Sequence, residues 1–167
     1  MDGNTTQEKF TLFWDGPFSQ WYPSEFTVHH LKFNCAEQFM MYGKATLFGD
    51  LETAGKILQA VSPKEQKALG RSIRNFDESV WLLFREGIVY TGSYQKFTQN
   101  QALEKALLAT TGTTLVEASP YDKIWGIGLS ENDPKASNRA TWDGLNLLGE
   151  TLTRVREAIA YQKSPNR

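Results

Sequence analysis

The sequence has 167 residues, of which 40% are hydrophobic, so it is long enough for one domain with a substantial core. No apolar run approaches the about 20 residues that span a bilayer, and the polar start lacks the apolar segment of a signal peptide, so we expect no membrane partner. The net charge of −1 argues against non-specific binding of long nucleic acids, which usually needs a basic protein, although it allows a local basic patch.

Cysteine and histidine are scarce. The single cysteine, Cys35, cannot form an internal disulfide, which indicates a reducing intracellular compartment, cytoplasmic or nuclear. His29 and His30 are the only histidines, and no Cys/His cluster has the spacing of zinc ligands. The sequence therefore has few residues from which a histidine-based metal site could form.

Two short strands are predicted near the N-terminus. Residues 10–14 form the first, which ends at the turn signal Asp15-Gly16-Pro17. Residues 27–33 begin with β-branched side chains and alternate roughly, which predicts the second strand. His29 and His30 would point to opposite faces of it, so at most one of them could face a site.

The central stretch, residues 33–50, is predicted to form one helix. Glu37 and Lys44 are seven residues apart and lie on one face, with Met41 between them. Burying an acid and an amine on a largely apolar face is costly without a partner or a purpose. Two interpretations stay open: solvated charges at the rim of an amphipathic helix, or a functional pair.

The next two helices carry capping signals. Asp50 can cap residues 51–60, and Ser62 can cap a helix in which Pro63 is the first residue and Glu65 is three beyond the cap.

The second of these helices is basic. Its positive residues are three or four apart and predict one face: Lys64, Lys67, Arg71 and Arg74. For Lys64 and Lys67 we expect solvent exposure. Arg71 is a candidate for binding phosphate, because its planar guanidinium matches phosphate oxygens.

The second half of the chain is mostly helical. Asp77 is predicted to cap a helix over residues 78–97 in which Trp81 and Phe84 face the core. The later elements are predicted as a helix at 98–108, a strand at 114–118, a turn-rich loop at 119–138 and a helix at 142–159 that buries Leu145 and Leu148.

This order of elements defines the expected fold class. Strands do not alternate regularly with helices, which argues against a doubly wound parallel sheet. We predict an α+β fold, with a single compact, mostly helical domain and a few short strands over residues 10–163. Residues 1–9 and 164–167 are polar ends that we expect to be flexible.

A second suggestive stretch, LVEASPYDKIWGIGL, spans residues 115–129. It places Glu117, Asp122 and Trp125 near Gly126, and glycines of this kind let a backbone approach a ligand closely. It lacks the dinucleotide-binding and P-loop patterns. For Asp122 a turn-capping role is the alternative.

Several ordered motifs resemble the NADAR family, also called YbiA-like. They are AEQFMMYGKATLFGD, LGR, FDESVW, KFTQN, LVEASPYDKIWGIGL and WDGLNLLG, and the resemblance covers residues 10–159. It implies a mainly helical α+β fold and an N-glycosidase that hydrolyses the bond between a ribose C1 and an amino nitrogen. One branch of the family acts on phosphoribosylamino-pyrimidine intermediates of riboflavin synthesis, and another removes ADP-ribose from guanine. No metal or other cofactor is implied.

The resemblance also implies site residues. Glu37 and Lys44 match the central helix motif, and Asp122 matches the late loop, so these three are the expected catalytic residues. The expected substrate-binding residues are Ser19, Gln20, Trp21, Arg71, Trp81, Trp125, Gly126 and Asn146. One departure is that the early motif usually reads Ser-Asn-aromatic, whereas this chain has Gln20 in the second position.

The chemistry of these residues agrees with the resemblance. Breaking a ribosyl C–N bond builds positive charge on the sugar, which a carboxylate stabilises, while an acid protonates the leaving nitrogen. An amine could instead add to C1 as a Schiff base.

We expect removal of ADP-ribose from ADP-ribosylated guanine, in DNA or in nucleotides. The alternatives are hydrolysis of riboflavin intermediates and a non-catalytic module that binds NAD or ADP-ribose. The expected partners are an ADP-ribosyl or phosphoribosyl ligand and ADP-ribosylated DNA. A toxin partner is compatible with the family but does not follow from the sequence.

Overall fold

A computed structural model describes residues 8–164. The expectation of flexible ends concerns residues 1–9 and 164–167, most of which lie outside this range. Within it, the chain makes tertiary contacts from its first residue, because the Glu8 carboxylate accepts a 2.9 Å hydrogen bond from Arg139 and the Lys9 carbonyl accepts one of 2.8 Å from Thr114.

The described part of the chain contains six α-helices and four short strands, which confirms the predicted fold class. The strands are β1 (Phe10–Phe13), β2 (Phe26–Val28), β3 (Leu31–Phe33) and β4 (Thr114–Glu117). The helices are α1 (Ala36–Leu47), α2 (Leu51–Gln59), α3 (Pro63–Arg71), α4 (Glu78–Thr98), α5 (Gln101–Leu108) and α6 (Leu147–Gln162). None of these helices is long and apolar enough to cross a membrane.

The predicted helix caps are confirmed. Asp50 accepts a hydrogen bond from the Thr53 amide at 3.1 Å, and Ser62 accepts one from the Glu65 amide at 3.2 Å. Asp77 likewise accepts from the amide of Val80. Each bond satisfies an amide that the first helical turn leaves without a partner.

The prediction of one strand over residues 27–33 is wrong. β2 and β3 form an antiparallel hairpin in which Phe26 pairs with Phe33. His29 and His30 form its two-residue turn, with φ of 47° and 68°. Positive φ at both central residues is the geometry that matches the twist of a tight hairpin, and histidine tolerates it better than most residues. The two histidines are exposed at the tip instead of facing opposite sides of a strand.

Of the helix boundaries that differ from the prediction, three have a clear structural reason. α1 starts at Ala36, because residues 31–33 pair in the hairpin. α3 ends at Arg71, so Arg74 lies beyond it and donates to the Asp50 carboxylate at 2.8 Å. α6 starts at Leu147, because Asn146 before it has a left-handed φ of 54°.

Two predicted core residues are exposed. Phe84 is 51% exposed on the outer face of α4, and Leu145, which precedes α6, is 59% exposed. Trp81 and Leu148 are buried as predicted.

Helix α1 is the centre of the packing. It contacts α2, α3 and α4, while α6 packs on α4 and on β4, the parallel partner of β1. Glycines allow two of the close approaches: a Cβ at Gly70 would overlap the Met41 sulfur, and one at Gly92 would lie 2.5 Å from the Phe39 ring. This packing places one end of β4 and one face of α3 beside α1.

Candidate active site

A cleft of about 220 Å³ opens beside α1. Its walls come from the segment after β1, from α1 and α3, from the start of α4 and from the end of β4 with the loop that follows. The residues that line it are Ser19, Gln20, Trp21, Glu37, Met40, Met41, Lys44, Lys67, Gly70, Arg71, Trp81, Glu117, Asp122 and Trp125.

This cleft gathers most of the residues that the sequence singled out. The three expected catalytic residues, Glu37, Lys44 and Asp122, all line it. The expected binding residues that line it are Ser19, Gln20, Trp21, Arg71, Trp81 and Trp125. A larger hollow of about 400 Å³ lies between the hairpin and the end of α2, and it contains none of the predicted site residues.

Gly126 and Asn146 lie beneath the cleft and do not line it. The fully buried Asn146 side chain accepts from the Glu117 amide at 2.9 Å and donates to the Leu115 carbonyl at 3.0 Å. A Cβ at Gly126 would lie 2.8 Å from the Asp122 carbonyl oxygen and 2.9 Å from that of Glu117. Both residues therefore hold the end of β4 against the loop, and their predicted contact with a ligand stays a prediction.

Glu37 lies in the first turn of α1 and is only 6% exposed. Burial, which disfavours the charged form, raises the pKa of Glu37 from 4.5 to about 7. The nearby Asp122 carboxylate adds to this rise in pKa, while Lys67 and a hydrogen bond from Trp21 oppose it. Glu37 can therefore hold or release a proton near neutral pH.

Lys44 lies on the same face of α1, as the seven-residue spacing predicted. Its ammonium donates to the Gly70 carbonyl at 2.9 Å and lies 4.5 Å from the centre of the Phe76 ring and 5.5 Å from that of Trp81. Burial lowers the pKa of Lys44, and the charge of Glu37 opposes that shift.

The segment at residues 19–21 is fixed from two sides. Lys96 donates to the Ser19 carbonyl, and the Glu37 amide donates to the Gln20 carbonyl, both at 2.9 Å. The extra methylene of Gln20 lets its amide reach the Met40 sulfur at 3.8 Å. Lys96, which the sequence did not single out, is almost fully buried, and burial lowers the pKa of its amine to about 7.

Asp122 forms the turn that the alternative interpretation anticipated. One carboxylate oxygen of Asp122 accepts from the amides of Ile124 and Trp125, both at 2.8 Å. The same side chain lines the cleft. It therefore shapes the loop and places negative charge beside Glu37.

Two charged residues of the cleft were missed. Lys67, which we expected in solvent, lines the cleft because α3 turns this face toward α1, and its amine lies 5.9 Å from the centre of the Trp21 ring. Lys67 is four residues before Arg71 and so shares a helical face with it, which was the sequence signal for this position. Glu117 was noted in the sequence without a role, and burial raises the pKa of this carboxyl to about 7. Its position at the end of a strand before a turn-rich loop was the available signal.

Aromatic rings form much of the remaining wall. Trp81 is buried, Trp125 packs partly against the core, and Trp21 is 43% exposed. Among residues 8–164 no cluster of His, Cys, Asp and Glu side chains could hold a metal ion. The fold and the cleft define a small helical α+β domain whose site combines protonatable carboxyls, an amine and ring-stacking surfaces.

Comparison with known proteins agrees with this class. The NADAR domain model matches residues 11–160, so the chain belongs to the NADAR family. The chain is 43% identical over 145 residues to N-glycosidase R617 of Acanthamoeba polyphaga mimivirus, covering 84% of this chain and 85% of that protein. It is 39% identical over 168 residues to Protein irg-1 of Caenorhabditis elegans, covering 90% and 79%.

A more distant relative and a solved structure complete the comparison. The chain is 37% identical over 113 residues to the chloroplastic riboflavin biosynthesis protein PYRR of Arabidopsis thaliana, covering 65% of this chain and 17% of that longer protein. The NMR structure of the E. coli protein YbiA superposes with a TM-score of 0.78 at 24% identity, covering 97% of this chain and 91% of YbiA. The YbiA comparison confirms the fold.

Proposed function

We propose that this protein is an N-glycosidase that hydrolyses the bond between a ribose C1 and an amino nitrogen. The main support for the proposal is that Glu37 and Lys44 both line one aromatic-walled cleft, where burial raises the pKa of Glu37 to about 7. The N-glycosidase name of the mimivirus relative supports the same reaction class.

Glu37 has two uses in such a reaction. As a carboxylate it takes a proton from the attacking water and stabilises positive charge that develops at C1. A pKa near neutrality suits a group that must change protonation state during each turnover. Asp122 adds a second negative charge to the cleft and holds the loop that carries Trp125.

Lys44 has two possible roles, which differ in whether a covalent bond forms. In the first, its neutral amine attacks C1 and forms a Schiff base that water then hydrolyses. In the second, it stays charged and acts by electrostatics. Burial favours the neutral amine by lowering the pKa of Lys44, whereas the Gly70 carbonyl and the Phe76 ring favour the ammonium.

For the substrate we favour ADP-ribosylated guanine, in nucleotides or in DNA. The cleft volume of about 220 Å³ encloses only part of such a ligand and suits the ribose and its leaving base. The pyrophosphate would then reach the rim, where Arg71 is exposed and offers a planar donor pair for phosphate oxygens. The half-exposed Lys67 adds positive charge.

The second candidate substrate is a phosphoribosylamino-pyrimidine. The small cleft suits it, and the relative PYRR is named for riboflavin biosynthesis. Its single phosphate would use the same Arg71.

Product analysis separates these possibilities. The purified protein is incubated with ADP-ribosylated guanosine and, separately, with the phosphoribosylamino-pyrimidine, and mass spectrometry follows the released guanosine or aminopyrimidine. We expect free guanosine and ADP-ribose from the first substrate. Cleavage of the phosphoribosylamino-pyrimidine alone would make that compound the substrate. Binding of ADP-ribose without cleavage of either compound would identify a binding module.

A further inference from the structure

We propose that Glu117 is the acid that protonates the departing amino nitrogen, and so is a third catalytic residue beside Glu37 and Lys44. This inference deepens the proposed N-glycosidase function and rests on it. It assigns proton donation to the carboxyl at the end of β4 and leaves Asp122 to form the loop.

The backbone of Glu117 is fixed on both sides. Its amide donates to the Asn146 side chain at 2.9 Å, and its carbonyl accepts from the Ile127 amide at 2.9 Å. Its partner in the parallel ladder is Phe13 of β1. A side chain that starts from so constrained a backbone enters the cleft from a defined point, as a proton donor requires.

The carboxyl of Glu117 can form a further hydrogen bond. Its Oε2 atom is buried and has no hydrogen-bond partner within the described residues, although the side chain lines the cleft. A buried carboxylate oxygen without a partner is costly, whereas the protonated acid carries no charge and offers one O–H to a ligand. Asp122 differs, because one of its oxygens is already committed to two backbone amides.

The surroundings keep this acid protonated. Burial, together with the negative charges of Asp122 and Glu37, raises the pKa of Glu117 to about 7, while the charge of Lys67 opposes the rise. The charged groups that share the cleft with Glu117 are Glu37 and Lys44 of α1, Lys67 and Arg71 of α3, and Asp122 of the loop. Part of the Glu117 population is therefore protonated at neutral pH.

Cleavage of the C1–N bond is coupled to two proton transfers, one from Glu117 and one to Glu37. The C1–N bond breaks with its electron pair passing to nitrogen, and the Glu117 proton moves to that nitrogen, which leaves as the free amine. Water forms the new C1–O bond, and its proton passes to the Glu37 carboxylate. Glu117 then regains a proton from solvent as Glu37 releases one, so one water is consumed for each bond cleaved.

The test compares Glu117→Gln with Glu131→Gln, which changes an exposed carboxyl outside the cleft. Glutamine keeps the shape and a hydrogen-bond donor but has no transferable acid proton. We expect kcat for ADP-ribosylated guanosine to fall by about 100-fold or more, the usual scale for losing a general acid. In wild type, kcat should fall at alkaline pH as Glu117 loses its proton, and this fall should be smaller in Glu117→Gln. The affinity of Glu117→Gln for ADP-ribose and its melting temperature should stay close to those of wild type.

The outcomes separate the two proposals. If wild type is active and Glu117→Gln is equally active with the same pH profile, the role of Glu117 is overturned. The N-glycosidase function is not affected by that result. A wild type that releases neither guanosine nor the aminopyrimidine overturns the N-glycosidase function and this inference with it. If Glu117→Gln does not fold, carbon-13 NMR of wild-type protein decides: titration near pH 7 supports the proposal, and a Glu117 carboxyl ionised by about pH 5 overturns it.

Discussion

Glu37 and Lys44 share one face of α1 and one cleft, yet in the part of the chain that the structure describes no direct ion pair joins them. Lys44 donates instead to the Gly70 carbonyl of α3. Each group is thus left free to contact a ligand. Burial raises the pKa of Glu37 and lowers that of Lys44, and the charge of Glu37 opposes the shift at Lys44. The pair is therefore better suited to act on a bound molecule than to stabilise the helix.

Chemical trapping tests the role of Lys44. If its amine forms a Schiff base with the ribose C1, borohydride added during turnover should fix a ribose-containing adduct on Lys44. Peptide mapping by mass spectrometry locates the adduct, and the exposed Lys56, paired with Glu52, serves as the internal control. An active preparation without an adduct on Lys44 would remove the covalent route. Lys44→Arg, which keeps the charge but cannot form this imine, should give no adduct.

Trp125 is expected to contribute more to ligand binding than to stability. We predict that Trp125→Ala lowers the affinity for ADP-ribose by about 1–3 kcal/mol, the scale of base stacking on an aromatic side chain. Calorimetric titration measures the affinity. Trp14→Ala is the matched control, because Trp14 is exposed and does not line the cleft. Unchanged affinity with a collapsed melting temperature would show that Trp125 serves the core.

The raised pKa of Glu37 also predicts how stability depends on pH. The unfolded chain releases this proton near the ordinary value of 4.5 and the folded chain near 7, so the folded state binds more protons between these values. The free energy of unfolding should therefore fall across this window, by up to about 3 kcal/mol from Glu37 alone. Glu37→Gln should remove that contribution, so the variant gains stability relative to wild type between about pH 5 and pH 8.

Urea unfolding at the two pH values measures this effect. Glu131→Gln, which changes an exposed carboxyl, should leave the pH dependence unchanged. An equal difference between wild type and Glu37→Gln at both pH values would mean that Glu37 is ionised throughout the window.

The sequence predicted those parts of the fold and site that depend on local signals. The caps at Asp50, Ser62 and Asp77 use side chains within three residues of the amides that they bind, so spacing was sufficient to find them. Glu37 and Lys44 share a face because of helical periodicity alone. The hairpin turn was missed because His29 and His30 replace the Asn-Gly pairs that usually mark it.

The missed parts of the site depend on contacts between distant segments. Lys67 reaches the cleft only because α3 packs on α1, and Glu117 reaches it only because β4, paired with β1, ends there. Local composition does not distinguish Lys67 from the exposed Lys64 three residues earlier. The exposure of Phe84 has the same origin, since α4 turns that face away from α1 and α6.

If Glu37 helps this cleft to cleave a ribosyl C1–N bond, its loss should slow the release of guanosine from ADP-ribosylated guanosine. Mass spectrometry with enzyme in excess compares the rates of release by wild type and by Glu37→Gln. We expect release by wild type and a rate at least about 100-fold lower for a folded Glu37→Gln. Near-normal release by Glu37→Gln would contradict this role of Glu37.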